Sequence, residues 1–245
     1  MRVCAVIPAA GRGTRLGSDR PKILSPLTAT QTIWSVLQEQ LSPLVDHIHL
    51  VLSSEGAAQF PPLPAHVSTS IQPTPTGMGD AIFCGHPVWS AYDAILVIWG
   101  DQVFVSPDTL TRTLAAMTAA KRQVVLPLTG MDAPYVEYVF DGDRLARVLQ
   151  SREGDACRPG GQADVGTFLL ATDGLKAAWD AYRADAPHGG ATAEVNFLPF
   201  LPYLSAQGWR ILRLAVEDAT EARGINTPQD LAYFQDLYGN GGKTS

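Results

Sequence analysis

Cysteine is scarce in this chain of 245 residues: there are three, Cys4, Cys84 and Cys157, odd in number and far apart. No two have metal-ligand spacing, and so few thiols over this length give no disulfide framework. None has a recognisable base beside it, which argues against a thiolate nucleophile; Cys4, inside an apolar run, reads as a small buried hydrophobe. The five histidines are scattered as well, and His47 and His49 alternate along a strand-like run as ordinary sheet residues do. Charge is thin, at 17% of residues, and the balance is −6, so the basic footprint of a nucleic-acid binder is missing and no nucleic-acid partner is expected. A local group of cations can still meet phosphates. No stretch reaches the roughly twenty apolar residues that span a bilayer. The first apolar run stops at Gly11 with no cleavage-type region after it, so no signal peptide, no membrane partner and a cytoplasmic location are expected.

What is present is a chain 46% hydrophobic, enough for a well-buried core. Its first half alternates short strand-like and helix-like segments: strands at Val3 to Ile7, His47 to Leu52, Val67 to Ile71, Ala94 to Ile98 and Gln123 to Leu128, with helices predicted at Thr32 to Leu41, Gly79 to Trp89 and Pro107 to Ala120. Strands with continuous apolar centres separated by helices imply βαβ units and a mostly parallel sheet. Beyond Leu128 the texture changes. Tyr135 to Phe140 and Arg144 to Leu149 flank Asp141-Gly142-Asp143, a hairpin signal, and Gly154 to Gln162 reads as a polar loop. A strand at Val165 to Ala171, a helix from Asp173 to about Ala184, a second helix from near Glu194, a strand at Arg210 to Val216 and a helix from Thr227 to Tyr238 complete the pattern. With no internal repeat and no linker, residues 1–238 read as one α/β domain with an antiparallel, substrate-facing portion, and 239–245 as a disordered tail.

The densest chemical signal is residues 8 to 22, PAAGRGTRLGSDRPK, directly after the first strand. Loops at the carboxyl ends of parallel strands are where open α/β sheets bind ligands. Ala9, Ala10, Gly11 and Gly13 allow the backbone to come close to a ligand, and peptide N–H groups in such a loop can cradle phosphate. Arg12, Arg15 and Lys22 supply positive charge. Glycines at 11, 13 and 17 are spaced one residue too long for a dinucleotide fingerprint, and no acidic residue closes the second strand cleanly, so an NAD(P)-binding oxidoreductase is the weaker reading.

A G-x-G-T-R loop followed by Pro21-Lys22 resembles the signature of the sugar-phosphate nucleotidyltransferases. Three further segments match that family in order. Residues 72 to 81, QPTPTGMGDA, resemble its second nucleotide-binding segment; Trp99-Gly100-Asp101 resembles its aromatic-Gly-Asp element; residues 224 to 228, GINTP, resemble its late G-V-N segment. Within the family the pattern is most similar to the pyrophosphorylase (uridylyltransferase) domain of N-acetylglucosamine-1-phosphate uridylyltransferase. The resemblance implies a Rossmann-like, GT-A-type fold and a reaction of an NTP, by preference UTP, with a phosphorylated small molecule such as a sugar 1-phosphate, releasing pyrophosphate. It implies Mg²⁺ as cofactor, held by Asp101 and Asn226. Arg15 would neutralise the leaving pyrophosphate and Lys22 the reacting phosphates, so Arg15, Lys22 and Asp101 are the catalytic candidates. Ala9, Ala10, Gly11, Gly13, Thr14, Gln72, Gly77, Met78 and Gly100 would bind the nucleotide. CTP and GTP stay open as donors, as does an inactive nucleotide-sugar sensor.

The acceptor-facing half departs from the uridylyltransferase pattern. Val136 follows Tyr135 where the family has glycine, Gln150 stands for a sugar-contacting glutamate, and Asp164 for an asparagine. Glu194 remains in the segment Ala193 to Phe197, while a later aspartate falls near Pro199. Trp99, Tyr135, Gln150, Asp164 and Glu194 are the acceptor-binding candidates, and the changed identities imply an acceptor other than N-acetylglucosamine 1-phosphate. Hexapeptide repeats are absent, so acetyl transfer is not expected. The oligomeric state stays open.

Overall fold

A computed structural model describes residues 1–11, 16, 20–74, 76–118, 121–186 and 195–239. Four parallel strands form one half of the main sheet: β1 (Val3–Ala9), β2 (His47–Leu52), β3 (Val67–Ile71) and β4 (Ala94–Ile98), in the order β3-β2-β1-β4. The chain steps outward from β1 through β2 to β3 and then returns to the other side of β1. That reversal opens a crevice at the carboxyl ends of β1 and β4, the place where doubly wound sheets take ligands.

Burial explains the texture of these strands. All five residues of β4 are buried. Alternate side chains then serve opposite cores, as the two-residue period of a strand demands. Val3, Ala5, Ile7, Ala94, Leu96 and Ile98 pack on one face, while Cys4, Val6, Ile95 and Val97 pack on the other. Helices α1 (Ile33–Leu41), α5 (Pro107–Ala116) and α8 (Pro228–Gly239) serve the first core, and α3 (Met78–Cys84), α6 (Leu175–Asp185) and α7 (Phe200–Ala206) the second. Thr32 caps α1 through a reciprocal bond with Ser35. A short α2 (Ser54–Ala57) follows β2.

The second half joins the same sheet. β9 (Thr167–Ala171) runs antiparallel to β4 and is wholly buried; β5 (Gln123–Met131) lies beside it, also antiparallel, and β10 (Arg210–Ala215) closes that edge parallel to β5. β6 (Val136–Asp141) and β7 (Arg144–Gln150) form a separate hairpin turned at Gly142, where φ is +60°. α7 supports it, with Leu145 donating its N–H to Ser205 Oγ at 3.1 Å.

The structure corrects several sequence-based boundaries. Gly79 to Trp89 is two helices, because Pro87 has no N–H with which to continue α3, and α4 (His86–Trp89) restarts with that proline in its first turn. The helix after Pro107 ends at Ala116 rather than Ala120, and residues 119 and 120 lie outside the described residues. β5 runs three residues past Leu128 because residues Gly161 to Asp164, expected partly as loop, form β8 and pair with its extension. Polar alternation on a four-residue strand gave no sequence signal. The helix expected from near Glu194 begins at Phe200, and α8 reaches Gly239; the rest of the expected tail lies outside the described residues. Among the described residues, no helix is long and apolar enough to cross a membrane.

Candidate active site

Pro21 and the buried Ile23 set a single 3₁₀ turn, Lys22–Leu24, against the ends of β1 and β4. Ile23 fills the space beside Gly100, so Lys22 at the same turn projects into the crevice. Its Nζ lies 2.5 Å from Asp101 Oδ2 and 3.2 Å from Asn226 Oδ1. Asp101 stands just past β4, and Asn226 arrives from the other end of the chain. The backbone joins them: Ile225, fully buried, donates its N–H to the carbonyl of Asp101 at 3.0 Å.

Asn226 is fixed by the helix that follows it. Thr227 caps α8, Asp230 N–H bonding Thr227 Oγ1 at 3.1 Å while Asp230 Oδ2 accepts from the N–H groups of Thr227 and Asn226 at 3.0 and 3.1 Å. Partial burial alone would raise the Asp230 carboxyl, but these bonds together with Arg223 hold it below the usual carboxylate range.

Four of the nucleotide candidates, Ala9, Ala10, Gly11 and Gly100, lie just past the ends of β1 and β4. Ala9 ends β1, Ala10 is buried and Gly11 is exposed with open space where a Cβ would stand. A Cβ built at Gly100 would stand 3.5 Å from both Ala9 Cβ and the Pro8 carbonyl oxygen. On the neighbouring rim Gln72, buried after β3, donates from Nε2 to the carbonyl of Gly77 at 3.3 Å and to Thr76 Oγ1 at 3.4 Å. Gly77 precedes α3 with φ +122°, a conformation that L side chains rarely adopt, and Met78 opens the helix with its side chain partly in solvent. Gly13, Thr14 and Arg15, with Arg12, lie outside the described residues.

The acceptor candidates fall into two groups. Trp99 packs at tilted and edge-on angles against Phe168 and Phe197, with ring centroids 5.0 and 5.9 Å away, and its backbone N–H donates to the carbonyl of Gly166 at 2.9 Å. Gly166 in turn donates to Asp164 Oδ1 at 2.7 Å, and the buried Tyr138 hydroxyl donates to Oδ2 at 2.9 Å. Burial pushes the Asp164 carboxyl up, and neighbouring Asp101 adds to this, against the lowering by those two bonds. Tyr135 and Gln150 lie at the other group, the open end of the hairpin, where Val136 pairs with Gln150 and the Tyr135 carbonyl accepts from Ser151. Tyr138 on β6 links the two groups. Glu194 lies outside the described residues.

Three residues here carried no role in the sequence reading. Glu137, fully buried, takes Arg158 N–H and Nε at 2.7 Å each; the backbone bond is the main reason its carboxyl sits below the usual range. It pins the loop that leads into β8 and Asp164. Tyr138 orients Asp164, and Gln102 lies buried beside Asp101. Only their proximity in space reveals them; the pattern of the sequence around them is that of any half-buried strand or turn.

The three cysteines are free and are not nucleophiles by environment: burial pushes the Cys4 thiol up to about 12 and raises Cys84 and Cys157. Among the described residues, no group of three or more His, Cys, Asp or Glu is placed to hold a metal ion.

A sheet reversal with a cation, a carboxylate and an amide gathered at its mouth defines a phosphate-handling α/β protein. Residues 5–193 match the family of MobA-like NTP transferase domains, and the chain belongs to that family: it is a nucleotidyltransferase. It is similar to the bifunctional protein GlmU of Acidithiobacillus ferrooxidans, 28% identical over 238 residues that cover 95% of this chain and 51% of the relative. The GlmU proteins of Dinoroseobacter shibae and Thermotoga maritima are 27% and 25% identical, covering 97% and 95% of this chain and 53% and 50% of their own lengths. The chain thus spans about half the length of the curated relatives it matches.

Proposed function

We propose that this nucleotidyltransferase joins an NTP, UTP by preference, to a phosphorylated polyhydroxylated acceptor of the sugar 1-phosphate type, with Mg²⁺ held by Asp101 and Asn226. One observation carries the reading. Lys22, Asp101 and Asn226, drawn from three remote parts of the chain, meet at the switch point, with two oxygens turned toward a single positive charge. The Lys22 ammonium stands in for a cation on the two oxygens. One carboxylate plus one amide oxygen is a hard, sparse donor set that suits a strongly hydrated Mg²⁺ rather than zinc.

The chemistry is in-line displacement. A phosphate oxygen of the acceptor bonds to the α-phosphorus, the bond from that phosphorus to the bridging oxygen breaks, and pyrophosphate leaves with both electrons. Such transfer needs placement and charge neutralisation rather than a covalent intermediate on the protein. Mg²⁺, when bound, neutralises phosphate oxygens. Lys22 meets the reacting phosphates, Arg15 the pyrophosphate, and Gln72 with Gly77 the base. Asp101 and Asn226 would hold the metal and take no part in proton transfer. Trp99, Tyr135, Gln150, Asp164 and Glu194 are the residues we assign to the acceptor.

Asp164 refines the acceptor. Both its oxygens already accept one bond within the protein, so it shapes the acceptor wall, and its remaining lone pairs suit hydroxyl donors rather than an acetamido carbonyl. A site built to bond hydroxyls rejects analogues that lack them strongly. Pyrophosphate release with each NTP against a panel of sugar, cyclitol and small-alcohol phosphates tests this. UTP with one polyhydroxylated phosphate is expected to lead, and N-acetylglucosamine 1-phosphate to be used poorly. Best turnover with N-acetylglucosamine 1-phosphate would overturn the acceptor assignment, and full turnover in EDTA the role of the metal.

A further inference from the structure

Gln102 follows Asp101 and belongs to none of the motifs. Only 6% of its surface is exposed, yet among the described residues its buried carbonyl Oε1 has no hydrogen-bond partner. Leaving a buried oxygen unpaired is unfavourable, and an apolar side chain of similar shape would avoid that cost. Packing alone therefore does not account for an amide at this position.

The amide is wedged between glycines of two loops. A Cβ built at Gly166 would stand 2.2 Å from Gln102 Cγ and 2.7 Å from Nε2, and Gly166 with φ +72° is in a conformation that favours glycine. A Cβ built at Gly224 would meet Gln102 Nε2 at 3.2 Å, Asn226 Nδ2 at 3.2 Å and Asp101 Oδ1 at 3.3 Å. The Gln102 amide thus shares one small polar space with both side chains assigned to the cation. The last torsion of a glutamine is broad and nearly two-fold, so a half-turn brings Oε1 to the place of Nε2.

The geometry points to Gln102 as the outer-sphere partner of the cation, its Oε1 accepting a hydrogen bond from a water on the metal at Asp101 and Asn226. This rests on the metal reading above. A Mg²⁺ with only two protein ligands keeps several waters, whose polarised O–H groups need acceptors. Outer-shell acceptors of this kind fix the orientation of what the metal carries, and their loss costs roughly 10–100-fold in metal affinity.

The test is Mn²⁺ titrated into the full chain with a non-hydrolysable UTP analogue and followed by EPR, alongside thermal melting without ligands. Gln102→Met should weaken Mn²⁺ binding roughly 10–100-fold while the melting temperature holds or rises, since the unpaired oxygen is gone. Gln102→Glu, which keeps an acceptor there, should restore Mn²⁺ binding to near the wild-type value. Wild-type Mn²⁺ affinity in Gln102→Met overturns the inference and leaves the metal reading standing. A rise in acceptor KM with unchanged Mn²⁺ affinity overturns it too, and assigns the donor to an acceptor hydroxyl. Unfolding of both variants would show a purely structural amide. Wild-type protein that forms no complex with Mn²⁺ and the analogue would sink the metal reading itself, and this inference with it.

Discussion

Lys22 holds one ammonium against the same two oxygens that are proposed to bind Mg²⁺, so the proposed reaction gives it two roles, phosphate ligand and competitor for the metal. Lys22→Met should cut turnover by about 10²–10³, the cost of losing one preorganised charge in such a site. The same variant should bind Mn²⁺ more tightly than wild type when no nucleotide is present, because Asp101 and Asn226 are released; weaker binding would show that lysine and metal do not compete. His49 is a different kind of residue, a fully buried imidazole bonded to Ser68 and Ser70 Oγ at 2.8 and 2.9 Å. Burial, with a smaller effect of His47, lowers its pKa from 6.5 to about 4. A depressed folded pKa means that the unfolded chain binds the proton first as pH falls. The group's stability is therefore fully present above 6.5 and is lost progressively toward 4, a change of roughly 3 kcal/mol. Denaturant unfolding at a series of pH values should show this decline, and His49→Gln should flatten it; an unaltered slope in the variant would assign the decline to other groups.

Secondary-structure elements matter here chiefly through where they stop. Gly166, between β8 and β9, combines φ +72° with direct contact on Gln102, whereas Gly142 in the β6–β7 turn has φ +60° and open space around it. A non-glycine residue in this backbone region costs about 1–3 kcal/mol. Gly142→Ala should lower the melting temperature by that strain alone, at about 2–4 °C per kcal/mol for a domain of this size. Gly166→Ala should lose more and impair turnover as well, because the added methyl collides with Gln102 next to Asp101. Equal losses at both positions would mean that the collision relaxes at no cost. Strands with continuous burial, such as β4, and capped helices, such as α8 with Thr227, were legible in the sequence because their signals are local. The pairing of β8 was not, since it depends on β5 extending to receive a short polar segment, whereas the break after Cys84 follows from Pro87.

At the scale of the whole molecule, the two halves of the sheet are joined by β9, inserted antiparallel between β4 and β5. That insertion brings Gly166 and Asp164 beside the end of β4, so the residues proposed for the acceptor lie near those proposed for phosphate. The sequence by itself determined the α/β class, the order of the first four strands' segments, and the residue types on which the proposed phosphate chemistry rests: the glycine-rich run with Lys22, the Gln72 and Gly77 segment, Asp101 and Asn226. These are written in short contiguous stretches whose chemistry does not depend on distant partners. Only the tertiary structure decided that Lys22 rests on Asp101 and Asn226, that Tyr138 and Gly166 already occupy Asp164, that Glu137 anchors the loop before it, and that Gln102 lies buried beside Asp101 with an oxygen unpaired among the described residues. Each of those facts is a contact between residues remote in sequence. Burial and hydrogen-bond satisfaction, which depend on every chain segment that surrounds a group, are fixed only when the segments meet.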